Sequence, residues 1–302
     1  STITVITDGL TRAVPIVLGR ELVAVDLGDL NDDGRLDLVA VDRSDAAFYV
    51  VLAQGDAFAA PRRVATGLTP ELLQLHDLDG DDRLDVLTHG KGPEIWFHQG
   101  DGSGGFSPAR ALLVQPTASP GFAAHRDEQG RRWLLTITDQ RLIASELGDA
   151  DQVLRRVVSD GFYQADGLTM DAGAPLVHGA SFTTRHSLAP AQVFTEIWRA
   201  PSISSSLVWA DLDHDDIPEL TTAEQSGVVI RARQPDGTWA ERSRLDLAQD
   251  PGVSAIAAAE LTGDAHPDLV IGDFESKIHV AIGHGDGSFT LGEPSPIDLR
   301  AD

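Results

Sequence analysis

Carboxylate and amide side chains recur at one fixed spacing in this chain, in nine-residue segments that we call the first to fourth acidic loops. Each loop places an oxygen-bearing side chain at its first, third, fifth and ninth positions, so that one tight turn directs several oxygens at a single point. Oxygen ligands on such a loop are those that Ca²⁺ prefers in proteins. The spacing therefore predicts calcium sites. The loops are DLNDDGRLD at 29–37, DLDGDDRLD at 77–85, DLDHDDIPE at 211–219 and ELTGDAHPD at 260–268.

Apolar segments with the alternation of β-strands flank each acidic loop, as in LVAVDLGDLNDDGRLDLVAV at 22–41. In the complete units the order is strand, acidic loop, strand, turn, strand, turn, strand. The turns before the fourth strand are rich in Gly and Asp, which supply the positive φ angles of tight hairpins. No segment has the pattern of a long amphipathic helix. The units are thus predicted to be four short antiparallel strands.

The unit repeats about every 45 residues, which is typical of a β-propeller built from four-stranded blades. We expect one all-β propeller domain over 1–302, with six blades favoured. In the six-bladed arrangement residues 1–20 are a terminal hairpin at the seam of the ring, and the alternative is seven blades, one of them reduced. The predicted repeats are 22–67, 72–115, 121–158, 162–200, 205–247 and 252–299.

The third and fourth repeats lack a complete acidic loop. In the third, Gly130 aligns with Gly34, but His125, Gln129 and Trp133 stand where ligands are expected, so calcium binding is not predicted there. The fourth repeat has lost the carboxylate pattern. These two repeats are the place where a ligand site would have room to evolve.

The amino-acid composition excludes several classes of binding partner and of chemistry. The formal charge is −24 with 23 Lys plus Arg, which argues against nucleic acid because its binders carry basic patches. There is no cysteine, so neither disulfides nor thiolate chemistry is available. No apolar run approaches the roughly 20 residues that span a bilayer, so membrane insertion is not predicted.

With these motifs in place, the chain resembles the FG-GAP/VCBS repeat family, calcium-loop propellers that include the head of integrin α-subunits and many secreted bacterial proteins. The resemblance is carried by D-x-[DN]-x-D-G-x-x-D between strands, followed by the G-D-G-x-F turn, and it covers nearly the whole chain. It implies loops that join the first and second strands of a blade, with the seventh-position carbonyl as a further ligand. Because loops of this kind fill where calcium is plentiful, we expect an extracytoplasmic location: secreted, periplasmic or at the cell surface.

Carried onto this sequence, the family pattern gives four calcium sites, three strong and one weak. The fourth is weak because it has fewer carboxylates and because Ala265 stands where Gly34 permits a sharp bend. Asp82 and Asp216 also replace that glycine and must adopt a left-handed conformation. We expect the calcium to hold the blades in place. The implied ligands are Asp29, Asn31, Asp33, Arg35 and Asp37; Asp77, Asp79, Asp81, Arg83 and Asp85; Asp211, Asp213, Asp215, Ile217 and Glu219; and Glu260, Thr262, Asp264, His266 and Asp268.

No catalytic set can be named from the sequence. The ten histidines are scattered, and neither G-x-S-x-G nor H-E-x-x-H occurs. Trp96, Trp133 and Trp198 are candidates for a ligand-binding surface, since flat rings stack on sugars and anchor protein interfaces. The favoured function is a non-catalytic, calcium-stabilised module that binds carbohydrate or an extracellular protein. The alternative is a polysaccharide-active lyase or hydrolase, or its accessory domain.

Overall fold

The computed structural model describes residues 2–7, 12–55, 57–66, 69–92, 94–113, 121–127, 129–138, 140–149, 151–159, 165–171, 174–179, 182–188, 194–201, 206–224, 227–248, 251–275, 277–293 and 295–296. Every regular element within these ranges is a β-strand. None of the described residues forms a helix with the length and apolar character needed to span a membrane.

The strands begin with a two-stranded hairpin of β1 (Thr2–Thr7) and β2 (Arg12–Val17). The first sheet contains β3 (Leu22–Gly28), β4 (Asp37–Asp42), β5 (Ala47–Val51) and β8 (Arg62–Ala65), beside the short pair β6 (Ala53–Gln54) and β7 (Ala57–Phe58). The second sheet contains β9 (Pro70–His76), β10 (Asp85–Gly90), β11 (Glu94–His98) and β12 (Arg110–Leu113). The third contains β13 (Phe122–Arg126), β14 (Arg132–Thr138), β15 (Arg141–Leu147) and β16 (Val153–Val158).

The fourth sheet contains β17 (Ala165–Asp171), β18 (Ala174–Gly179), β19 (Phe182–Leu188) and β20 (Phe194–Pro201). The fifth contains β21 (Leu207–Ala210), β22 (Glu219–Glu224), β23 (Gly227–Arg233) and β24 (Trp239–Asp246). The sixth contains β25 (Val253–Ala259), β26 (Asp268–Asp273), β27 (Lys277–Gly283), β28 (Phe289–Leu291) and β29 (Ser295–Pro296).

The fold is an all-β propeller of four-stranded antiparallel blades. Within the described residues five sheets have this four-stranded form, so the preference for six such blades, and the alternative of seven, are both corrected. The physical reason lies in the last repeat, where β29 pairs with β27 through Lys277 and Ile278. That additional pairing makes the sixth sheet five-stranded.

The chain divides into two compact units. One comprises Ser1–Val5, Val14–Val177 and His186–Thr195, and the other comprises Ile6–Ala13, His178–Arg185 and Glu196–Asp302. The single domain expected over 1–302 stays a prediction.

Burial along each sheet explains the alternation in the sequence. The second strand is the most enclosed: every residue of β4 and of β10 is buried, because both faces of the strand are covered. The fourth strand β8 carries Arg62 and Arg63 and is largely exposed. Apolar clusters lie between consecutive sheets, for example Phe48 and Val86 between the first and second. The first and second sheets thus bury facing surfaces against each other.

Side chains of one sheet also hydrogen-bond to the backbone of the next. Asp26 Oδ2 accepts the N–H of Leu75 at 2.9 Å. The amide oxygen of Gln74 accepts the N–H of Ala124 at 2.8 Å, one repeat later. These contacts fix the register between consecutive sheets, and therefore the positions of the acidic loops that follow them.

Candidate metal centres

Each acidic loop joins the first and second strands of its sheet. The first loop connects β3 to β4, the second β9 to β10, the third β21 to β22, and the fourth β25 to β26. The ninth loop residue is therefore the first residue of a buried strand. This position separates it from the exposed middle of the loop.

The ninth-position carboxylate ties the loop to the turn that follows the third strand. Asp85 is fully buried, and its Oδ2 accepts the N–H of Leu78 while its Oδ1 accepts that of Gly100, both at 3.0 Å. Asp37 and Asp268 make the same two backbone contacts in their own sheets. A position predicted only as a metal ligand thus also satisfies two buried N–H groups.

The first-position carboxylate curls the loop around itself. Asp77 accepts the N–H groups of Gly80 at 2.6 Å, Asp81 at 3.2 Å and Asp82 at 3.1 Å. Asp29 and Asp211 accept the equivalent N–H groups of their loops. Although partial burial opposes it, these donors lower the pKa of both Asp29 and Asp211. The first position is therefore anionic and its lone pairs converge on the loop.

Whether a cation fits these loops depends most on the side-chain oxygen at the third position. Asn31 Oδ1, Asp79 Oδ1 and Asp213 Oδ1 are each buried and have no hydrogen-bond partner among the described residues. A buried oxygen without a partner costs about 1–3 kcal/mol, more when charged. An oxygen without a partner thus recurs at the same position of three loops, where it is free to bind a metal ion.

Carboxylate oxygens from the first, third and ninth positions lie within 4.8 Å of one another in two loops, as Asp77, Asp79 and Asp85 and as Asp211, Asp213 and Glu219. Burial raises the pKa of Asp85 to about 6 and that of Glu219 to about 7, with neighbouring carboxylates adding to the effect. A divalent cation would reverse these shifts. The donor set is hard oxygen and fits Ca²⁺.

The fifth position stands apart from these clusters. Asp81 is exposed, and its Oδ1 accepts the N–H of Arg83 at 3.1 Å. Asp33, Asp215 and Asp264 make the same contact with the seventh residue of their loops. The structure thus brings together positions one, three and nine, and it leaves the fifth carboxylate closing a local turn.

An arginine enters the third loop. The Arg242 guanidinium forms an ion pair with Asp213, lies 3.8 Å from Glu219 Oε1, and donates to the carbonyl of Asp286 at 2.9 Å. Arg242 lies on β24, the fourth strand of the same sheet, so the sequence pattern of the loop could not identify it. Its charge competes with a metal ion at the third loop.

In the degenerate third repeat, too, an arginine side chain pairs with a carboxylate of the loop. Trp133, at the ninth position, is buried and donates its Nε1–H to Asp127 Oδ2 at 3.0 Å. Arg131 Nε donates to the same oxygen at 2.6 Å. Indole and guanidinium therefore satisfy the carboxylate that a metal would otherwise neutralise. Trp133 is 1% exposed, so its assignment to a ligand-binding surface is corrected.

The other two tryptophan candidates for a ligand-binding surface are Trp96 and Trp198. Trp96 lies on β11 and is partly buried. Trp198 lies on β20, and its side chain is outside the described part of the structure. Neither is brought next to an acidic loop by any described contact.

Two residues of every acidic loop have positive φ. At the sixth position Asp82 has a φ of 63° and Asp216 one of 64°, as replacement of the glycine requires. Ala265 at the same position of the fourth loop has a φ of 68°. The fourth position is left-handed as well, for example His214 at 61°. The sequence comparison missed this second bend, although Gly80 and Gly263 mark it in two loops.

Replacement of Ala265 by glycine is expected to stabilise the chain by about 0.5–1 kcal/mol, because alanine at positive φ is strained and glycine is not. Urea denaturation of the purified chain measures the difference. Ala257→Gly is the matched control on β25, where φ is not positive, and it should lower stability by about the same amount. Equal effects of the two substitutions would contradict the prediction.

Comparison with known proteins agrees with this geometry. Residues 29–88 match the model of the FG-GAP-like repeat. The chain therefore contains an FG-GAP-like repeat and folds as a β-propeller. The matched region holds the first two acidic loops, and the second of them has the converging carboxylates of Asp77, Asp79 and Asp85. A comparison with curated proteins gives no match.

Solved structures share the fold of this FG-GAP propeller at low identity. BBS1N in complex with ARL6DN, from a crystal soaked with mercury, has a TM-score of 0.62 and 12% identity over 98% of this chain and 87% of that one. The same complex soaked with lead has a TM-score of 0.59 and 13% identity over 92% of this chain and 83% of that one.

Proposed function

We propose that this chain is a non-catalytic, calcium-stabilised propeller that binds a protein partner outside the cytoplasm. The observation that carries the choice of partner is an exposed apolar row on β3. Val23, Val25 and Leu27 alternate along the strand and are 37%, 55% and 54% exposed. Alternate residues share one face of a strand, so Val25 and Leu27 lie side by side, and Val23 extends the exposed apolar stretch at a β-bulge between Leu22 and Ala24. Exposed apolar patches of this kind are typical of protein interaction sites.

The fold supports the same class of function. BBS1N, which shares this fold, forms a complex with ARL6DN. Propellers host many unrelated functions, so the argument from fold reaches only the class of protein-binding module.

Carbohydrate is the less favoured ligand because sugars are bound by stacking on open aromatic faces. Of the four tryptophans whose side chains the structure describes, none is exposed. An apolar aliphatic row is suited to another protein surface rather than to a sugar ring.

The one carboxylate–imidazole pair among the described ion pairs is not placed for catalysis. His279 Nε2 contacts Asp273 Oδ2 at 2.9 Å, but the two side chains are only 5% and 0% exposed. A substrate cannot reach a pair that is enclosed in this way, and its role is to join β26 to β27.

The acidic loops support the extracytoplasmic part of the proposal. Extracellular calcium modules bind with dissociation constants as weak as about 10⁻⁴–10⁻³ M, and such sites fill only where calcium is plentiful. Fractionation of the native host, followed by immunodetection of the chain, tests the location directly. Recovery in the cytoplasm would overturn this part of the proposal.

The partner is tested by placing a charge in the apolar row. Val25→Lys is expected to lower partner affinity by more than about tenfold, equivalent to about 1.4 kcal/mol, because the lysine must be desolvated in the interface. Partners captured on the immobilised chain in calcium would be identified, purified and remeasured by calorimetry.

Leu154→Lys is the matched control for that experiment. Leu154 is 57% exposed on β16, away from β3 in sequence, and the substitution adds the same charge. Retained binding by this variant together with loss by Val25→Lys supports the proposal. A partner that binds both variants equally, or binding only to glycans on an array, would overturn it.

A further inference from the structure

Two histidines from different acidic loops face each other. His214 is the fourth residue of the third loop and His266 the seventh residue of the fourth loop. His214 Nε2 and His266 Nδ1 lie 3.1 Å apart. The ring centroids are 5.3 Å apart and the planes are inclined by 48°. Both loops belong to the same compact unit, so the pair joins two consecutive repeats.

The fold holds each ring in place. His214 has a φ of 61°, and this left-handed bend turns its side chain out of the third loop. His266 is fixed through its backbone N–H, which donates to Asp264 Oδ1 at 2.9 Å. Its ring lies over Gly285, where a Cβ atom would come within 2.4 Å of Nδ1. The glycine therefore leaves the space that the ring occupies.

We propose that His214 and His266 form a two-imidazole binding site for Zn²⁺ or a similar transition-metal ion. Zn–N bonds of about 2.0–2.1 Å at a tetrahedral angle separate two ligand nitrogens by about 3.3 Å. The observed 3.1 Å is close to that distance, so both rings can bind one ion with a small adjustment. Water completes the coordination shell, since His214 is exposed.

The protonation states are compatible with metal binding. Of the two facing nitrogens one donates a hydrogen to the other in the metal-free pair, and a ligating nitrogen must be unprotonated. A change of tautomer in the donating ring therefore frees its nitrogen for the metal.

Donor chemistry separates this site from the calcium loops. Imidazole suits zinc, copper and nickel, whereas Ca²⁺ takes oxygen ligands. The exposed carboxylates of Asp215, Asp216 and Asp264 lie in the same two loops and increase the local concentration of cations. Occupancy would link the third and fourth loops, which have no shared calcium ligand.

The test is a calorimetric titration of the full chain with Zn²⁺ in buffer that already contains saturating calcium. We expect one saturable site that is lost, by more than about tenfold in affinity, in both His214→Asn and His266→Gln. Asparagine is chosen at 214 because it tolerates positive φ without an imidazole. Gly285→Ala keeps both imidazoles but displaces the His266 ring, and it should also weaken Zn²⁺ binding.

His284→Ala is the control, since His284 is exposed in the neighbouring turn and hydrogen-bonds to Thr290 Oγ1 at 2.8 Å. This variant should bind Zn²⁺ like the original chain. Thermal melts of all variants in calcium establish that they are folded. No saturable Zn²⁺ binding by the original chain, or equal binding by the original and both pair variants, would overturn the proposal.

Discussion

Replacement of Asp85 by alanine is expected to lower the free energy of unfolding by about 2–4 kcal/mol, because it leaves two buried backbone N–H groups without an acceptor. These are the N–H groups of Leu78 and Gly100, each 3.0 Å from a carboxylate oxygen of Asp85. Asp85→Asn retains one acceptor oxygen and should lose about half as much. Urea denaturation of the calcium-free chain in excess chelator measures both variants.

The effect of Asp85→Ala should also depend on pH. Burial raises the pKa of Asp85 from its usual 3.8 to about 6 in the folded chain. The folded state therefore holds a proton that the unfolded state has lost, and the contribution of Asp85 to stability falls as pH rises from about 4 to about 6. The penalty of the alanine variant should accordingly be larger at pH 4 than at pH 7.

Asp149→Ala is the matched control for these measurements, since Asp149 is exposed. Its stability should stay within about 0.5 kcal/mol of the original chain at every pH. If Asp85→Ala behaved like this control, the ninth-position carboxylate would not be the tie between loop and turn that we describe.

Removal of calcium is expected to destabilise the chain by about 4 kcal/mol. A site with a dissociation constant of about 10⁻⁴ M contributes about 1.4 kcal/mol in about 1 mM Ca²⁺, and three loops have an orphaned third-position oxygen. Denaturation in calcium and in excess chelator measures the difference. Equal stability in the two buffers would contradict structural calcium.

A single substitution assigns the effect to the second loop. Asp79→Ala removes the orphaned oxygen. In chelator it should be neutral or stabilising, since burial and the charge of Asp81 raise the pKa of Asp79 and disfavour its ionised form. In calcium the same variant loses a ligand and should be destabilised.

Asp213→Ala is the comparison in the third loop. Its calcium dependence should be weaker, because Arg242 already pairs with Asp213. If Asp79→Ala changed the free energy of unfolding equally in calcium and in chelator, the result would argue against a cation at the second loop.

Local chemistry explains why so much of each loop could be predicted from the sequence. The first-position carboxylate, the left-handed sixth residue and the turn between third and fourth strands depend on contacts within a few residues. Asp77, for example, bonds only to Gly80, Asp81 and Asp82 among the described backbone donors. A nine-residue pattern contains all of that information.

The number of strands in each blade was predicted less well, because it depends on strand pairing that the repeated sequence pattern does not contain. Residues 295–296 follow the fourth strand of the last repeat, yet β29 returns to pair with β27. Ser295 and Pro296 show no alternation of apolar and polar residues from which this fifth strand could be predicted.

By itself the sequence determined an all-β repeat fold and the loop positions at which oxygens converge, because strand alternation and tight-turn geometry are short-range properties. Only the tertiary structure decided which side chains compete with a metal ion at each loop. Arg242 reaches Asp213 from the fourth strand of the sheet, and Trp133 takes the place of a carboxylate in the third repeat. The His214–His266 contact likewise joins residues 52 positions apart. Such contacts arise only when strands pair and sheets pack, and no spacing within a single repeat specifies them.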